Sequence, residues 1–124
     1  MQKSQSIDYL AFMGLTLRSI TCHKPSETDK DEIFIKYRGE KLWPSGKFTK
    51  IDTDQTVHLN IELDNPTIWV EIELWEYDYL SRNDHLGDFV FKSQNYPGTY
   101  THELKPMDDF DGKVEYSLTW ELTR

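Results

Sequence analysis

Along most of the chain apolar and polar residues alternate one for one, the period of a strand with one buried face. The two clearest runs are Val57, Leu59, Ile61 and Leu63, set against His58, Asn60 and Glu62, and Ile68, Val70, Ile72 and Leu74, set against Trp69, Glu71, Glu73 and Trp75. An Asp64-Asn65-Pro66 turn joins them. A third run places Val114, Tyr116, Leu118, Trp120 and Leu122 on one face after the Asp111-Gly112 turn. Shorter signals fall at 15–22, with Leu15 and Leu17 opposed by Thr16 and Arg18, and at Ile33, Ile35 and Tyr37, opposed by Lys36. Residues 86–91 and 99–104 add two more, divided by Tyr96-Pro97-Gly98. A short strand is expected near Trp43 or at 48–51, on one side or the other of Pro44-Ser45-Gly46. Eight closely spaced strands of this kind predict an all-β fold, a two-layer antiparallel β-sandwich over residues 14–124. Residues 1–13 are set apart as an N-terminal extension, a short helix or an extra edge strand.

Composition narrows the picture. A chain of 124 residues suits one domain, and 14% aromatics suit strands. No apolar stretch approaches the roughly 20 residues that span a bilayer. The first ten residues hold one base, Lys3, and an acid, Asp8, a poor signal peptide. Cys22 is the single cysteine and no Asn-x-Ser/Thr acceptor occurs, so a cytoplasmic location is expected, with peripheral attachment to a membrane left open. The net charge of -8 opposes binding to nucleic acid and, without a bound cation, to anionic lipid.

Chemistry concentrates after the fifth strand, where Glu76, Asp78, Ser81 and Asp84 fall at intervals of two, three and three. In a tight loop such spacing can turn oxygens toward one point, and calcium takes six to eight oxygen ligands at about 2.3–2.6 Å. The plain alternative is a solvated acidic loop, since Asp, Asn and Ser also form turns.

Glu76-x-Asp78-x-x-Ser81-x-x-Asp84-x-Leu86-Gly87, following Ile72-x-Leu74-Trp75, resembles the third calcium-binding loop of C2 domains, with Glu76 where Asp is usual. Asp31-Glu32-Ile33-Phe34-Ile35-Lys36-Tyr37 is similar to the family element whose Asp ligates calcium, and Lys47-Phe48-Thr49-Lys50 to the basic strand after it. The resemblance implies a C2-like sandwich of the permuted type II topology, with Asp31, Glu76, Asp78, Ser81 and Asp84 as calcium ligands. It also implies apolar loop-tip residues, Tyr79 and Leu80, that dock to a phospholipid membrane when calcium is bound. Pro25 stands where the family carries another Asp, with Glu27 and Asp29 nearby, so calcium binding is expected to be weak. Trp69 and Trp75, on the Glu71 and Glu73 face, are candidate contacts for a protein partner.

Two functions follow: a module that binds calcium weakly and docks to a membrane or protein, or a calcium-independent C2-like interaction or structural subunit. No enzyme is expected. There is no Gly-x-Ser-x-Gly, no phosphate-cradling glycine loop and no base beside Cys22. The four histidines share no zinc-ligand spacing, and 107–118 fails as an EF-hand because Met107 and Leu118 occupy its end positions.

Overall fold

The computed structural model describes residues 14–124, so the expected N-terminal extension, 1–13, lies outside the described residues. Ten strands form: β1 (Gly14–Lys24), β2 (Asp31–Tyr37), β3 (Glu40–Trp43), β4 (Thr49–Ile51), β5 (Thr56–Leu63), β6 (Trp69–Glu76), β7 (Asp84–Lys92), β8 (Gly98–Glu103), β9 (Lys105–Pro106) and β10 (Glu115–Thr123). One sheet runs β5-β1-β10-β8; the other runs β3-β2-β6-β7-β9, with β4 also on β2. Every pairing is antiparallel.

The chain therefore folds as the expected sandwich, with two strands beyond the eight. Both candidates for the short strand form. β3 pairs Ile35 to Tyr37 of β2 and β4 pairs Asp31 to Ile33, so they lie in tandem along one edge, parted by the Pro44 turn. The other addition, β9, is too short to leave a periodic signal; it pairs with Gly87 and Asp88. Among the described residues no helix is long and apolar enough to cross a membrane.

Leu15, Leu17, Ile20 and Cys22 all reach the core, although strict alternation would send Ile20 outward. The register with β10 jumps between Leu17 and Ser19, leaving Arg18 as the extra residue of a bulge that resets the phase. Arg18 holds the irregularity, donating from Nε to Glu121 at 2.8 Å and from Nη1 to Asn60 Oδ1 at 3.3 Å.

Between the sheets Trp120, fully buried, stacks on Phe91 at 4.5 Å and Tyr100 at 4.7 Å. Its Nε1 donates to His102 Nδ1 at 3.0 Å, so that imidazole nitrogen must be unprotonated. Burial accordingly holds the His102 pKa below its ordinary value. A depressed pKa adds stability that is present above the unfolded value, about 6.5, and is lost as pH falls through the folded one. Thermal melts are therefore expected to show an acid-side loss that shrinks in His102→Gln, which keeps an acceptor for Trp120 but cannot titrate. Equal losses in the two proteins would remove His102 as the cause.

Candidate functional site

Asp31 lies in phase with the inward-facing Ile33 and Ile35, and Glu76 with Val70, Ile72 and Leu74. Alternation thus aims both carboxyls into the mouth of the sandwich, where Asp31 is fully buried and Glu76 is 4% exposed. Burying charge there is costly unless it is hydrogen-bonded. The loop between β1 and β2 supplies three of the donors to Asp31, and Tyr116 on β10 the fourth. Asp31 Oδ2 accepts from the Ser26 amide at 2.9 Å and the Tyr116 hydroxyl at 2.5 Å. Its Oδ1 accepts from the Ser26 hydroxyl at 2.8 Å and the Glu27 amide at 3.2 Å. The same Ser26 hydroxyl lies 2.9 Å from Glu76 Oε1, while Glu76 Oε2 is buried without a partner.

Electrostatics follow from this packing. Burial first, then the Asp31 charge, push the Glu76 carboxyl up to about 8. Burial and Asp31 likewise hold the Tyr116 phenol far above its ordinary range, and burial lifts the Cys22 thiol to about 11. Both side chains therefore stay protonated.

The loop 77–83 is organised differently. Asp78 Oδ1 accepts from the amides of Leu80 at 2.8 Å and Ser81 at 3.2 Å, and its Oδ2 from the Ser81 hydroxyl at 2.9 Å. The Leu80 amide first, then the Ser81 hydroxyl, hold the Asp78 carboxyl below its ordinary range. Asn83 Oδ1 accepts from the Asp78 amide at 2.9 Å, completing a side-chain-built turn. Asp84 is exposed and pairs across the ladder with Glu76. At the tip Tyr79 is 66% and Leu80 97% exposed. Tyr79 donates to Glu32 Oε2 at 3.1 Å, and its ring packs with Tyr77 and Phe48 at centroid distances of 5.1 and 5.9 Å.

A calcium ion would need several of these oxygens to converge. Of the five expected ligands, Asp31 and Glu76 come together, but on the Ser26 hydroxyl and core-side donors. Asp78 and Ser81 satisfy one another. Among the described residues no group of three or more His, Cys, Asp or Glu is placed to hold a metal ion. The donor set as folded does not fit calcium, because oxygens meant for a cation already accept protein hydrogen bonds. The exceptions are the unpartnered Glu76 Oε2 and the exposed Asp84 carboxyl, which accepts no hydrogen bond from the described residues.

Ser26 and Tyr116, central to the cluster, were not singled out as site residues from the sequence. A Pro-Ser-Glu turn and a core-phased tyrosine are ordinary features, and neither points to the other. The two tryptophans also part company. Trp75 is held between Phe34 at 6.1 Å and His85 at 4.6 Å, beneath the Lys36 ammonium at 4.3 Å, and donates to Glu73 at 2.9 Å. Trp69 stays 58% exposed, with the Lys92 ammonium over its ring at 5.3 Å.

The C2 fold expected from the loop motif is the fold of the chain. A C2 domain of plant Extended Synaptotagmin 1 superposes with a TM-score of 0.55 at 16% identity, covering 89% of this chain and 90% of that one. A second solved structure, described as a C2 domain, gives 0.45 at 13% identity, over 90% of this chain and 97% of that one, and no inference rests on it. No family model matches the chain, and no curated protein matches it in sequence. Likeness at such identity establishes architecture, and function has to be argued from the residues.

Proposed function

We propose that this chain is a C2-like protein-interaction module that folds and binds without calcium, its loop end held by its own hydrogen bonds. The observation that carries this reading is Asp31, fully buried and accepting from Ser26, Glu27 and Tyr116. A cation entering there would have to displace these donors. Trp69, exposed on the outer face of its sheet beside the exposed Val90, supports a protein as the partner, since tryptophans commonly anchor interfaces.

One observation favours calcium-dependent docking to a phospholipid membrane: Tyr79 and Leu80 project from the loop that carries Asp78 and Asp84. A calcium titration separates the two readings. Binding at ten times the dissociation constant would raise the melting temperature by about 3–6 °C. Several millimolar calcium is expected to move it by less than about 1 °C relative to chelator. A larger rise, abolished by Asp78→Asn with Asp84→Asn, would overturn the calcium-independent reading and restore Asp31, Glu76, Asp78, Ser81 and Asp84 as ligands.

A further inference from the structure

We propose that the end of the sandwich opposite loop 77–83 is where the partner docks, and that it takes a cationic protein segment, an apolar side chain flanked by lysine or arginine. The inference rests on the reading that the chain is a protein-interaction module, and names the surface and the partner's chemistry.

This end is built where β1 begins at Gly14, where β10 ends at Thr123, and where the chain turns after β5 and after β7. Together these segments form a groove of about 500 Å³, within the roughly 300–1,000 Å³ typical of ligand sites. Leu15, Leu63 and Leu122 line it from the core side, and Ile68 lines it from the rim. Ile68 is 54% exposed. The next residue, Trp69, stands on the outer face of β6, where Val90 is its diagonal neighbour across the ladder. Apolar surface therefore continues from the groove, over the rim, onto that sheet.

The exposure is not slack in the turn. The Ile68 carbonyl accepts from the Ser93 amide at 2.8 Å, and the Thr67 carbonyl from the Ser93 hydroxyl at 2.7 Å. Arg38 Nη2 donates to the Asn65 carbonyl at 2.7 Å. The turn is thus tied on both sides with Ile68 held at the surface, and a site fixed in advance loses little in ordering when it binds. The outer face of the other sheet supplies the contrast. Its rows Thr56–Thr21–Ser117–Glu103 and His58–Ser19–Thr119–Thr101 hold no apolar side chain.

Charge selects the occupant. Glu62 and Asp64 are exposed on the groove, and Glu71 is exposed beside Trp69. Among the described residues, none of these three carboxyls takes part in a salt bridge or a side-chain hydrogen bond. Two nearby cations are engaged elsewhere: Lys92 lies over the Trp69 ring at 5.3 Å, and Arg38 lies over the Tyr37 ring at 4.9 Å while it holds Asn65. An apolar hollow edged by unpaired acids suits an anchor with cations beside it, and the net charge of -8 steers such a partner inward. Residues 7–13, apolar apart from Asp8, precede Gly14 and so are the competing occupant. They would bring an acid and no base to these carboxylates, which favours the basic partner.

The test is an amide NMR titration of the full chain, in chelator, with a short synthetic peptide of leucine and tryptophan flanked by arginines. Saturable shifts at Leu63, Ile68, Trp69 and Ser93 are expected by millimolar peptide, with loop 77–83 unmoved. A twin peptide flanked by glutamates is expected to bind at least about tenfold more weakly. Ile68→Ser with Trp69→Ser, and separately Glu62→Gln with Asp64→Asn, are each expected to weaken the arginine peptide by about tenfold, with the melting temperature within about 2 °C of wild type. No saturable binding, equal affinity for the two peptides, or shifts centred on loop 77–83 would overturn the site. Nuclear Overhauser contacts between Ile68 and residues 7–13 in the free chain would overturn it too, by showing the groove already filled. These readouts use the wild-type chain, so they decide even if a variant folds poorly. Melts with and without calcium judge calcium independence separately: a calcium-induced rise sinks that reading, while the titration in chelator still judges the groove.

Discussion

Asp31→Ala is expected to lower the melting temperature by about 12–20 °C in the absence of any metal. Asp31 is fully buried and accepts four hydrogen bonds, from two amides and two hydroxyls. Removing the acceptor strands donors that cost about 1–3 kcal/mol each when left unpaired in the interior. The loop amides of Ser26 and Glu27 can recover water, whereas the Tyr116 hydroxyl lies within the core, so about 3–5 kcal/mol is a reasonable total. At about 4 °C per kcal/mol for a chain of this size, the stated range follows. The sign is the informative part. In a cluster of bare calcium ligands, deleting one acid relieves repulsion and stabilises the metal-free protein. Here the four donors on Asp31 outweigh the repulsion that its removal would relieve. Thermal unfolding in chelator reads the result directly, and an Asp31→Ala protein as stable as wild type would refute the hydrogen-bonded cluster.

The second large effect is expected at Gly87. A β-carbon on this residue would lie 2.4 Å from the Lys105 carbonyl oxygen, 2.9 Å from Pro106 Cα and 3.0 Å from Leu104 Cγ. Two of these atoms are backbone, which cannot swing aside as a flexible side chain can. Gly87→Ala must therefore push β9 off β7, breaking the Gly87–Pro106 and Asp88–Lys105 pairing and uncovering Leu104. Overpacking of this severity costs about 3 kcal/mol or more, a fall of about 12 °C in melting temperature. Amide exchange at Met107, whose N–H donates to the Leu86 carbonyl at 3.0 Å, is expected to accelerate with it. A fall below about 2 °C, with exchange unchanged, would mean that β9 contributes little. The glycine closing the Leu86-Gly87 motif thus has a structural reason that is independent of calcium: close approach of a neighbouring backbone.

Local periodicity by itself determined much of this protein. The alternation at 57–63, 68–75 and 114–122 was enough to specify an all-β sandwich, because side chains on a strand change face at every residue. The same rule, extended one step beyond Ile33 and Leu74, already aims Asp31 and Glu76 inward. Phase was lost where a bulge intervened, as at Arg18, since an extra residue depends on the partner strand and leaves no local mark. Tertiary structure alone decided what the two acids meet. Their partners arrive from far along the chain, Ser26 50 residues before Glu76 and Tyr116 85 residues after Asp31. The spacing of Glu76, Asp78, Ser81 and Asp84 is compatible with a cation or with a self-contained turn. Only the long-range pairing of β1, β2, β6 and β10 places a serine hydroxyl and a tyrosine against oxygens that a metal would otherwise need.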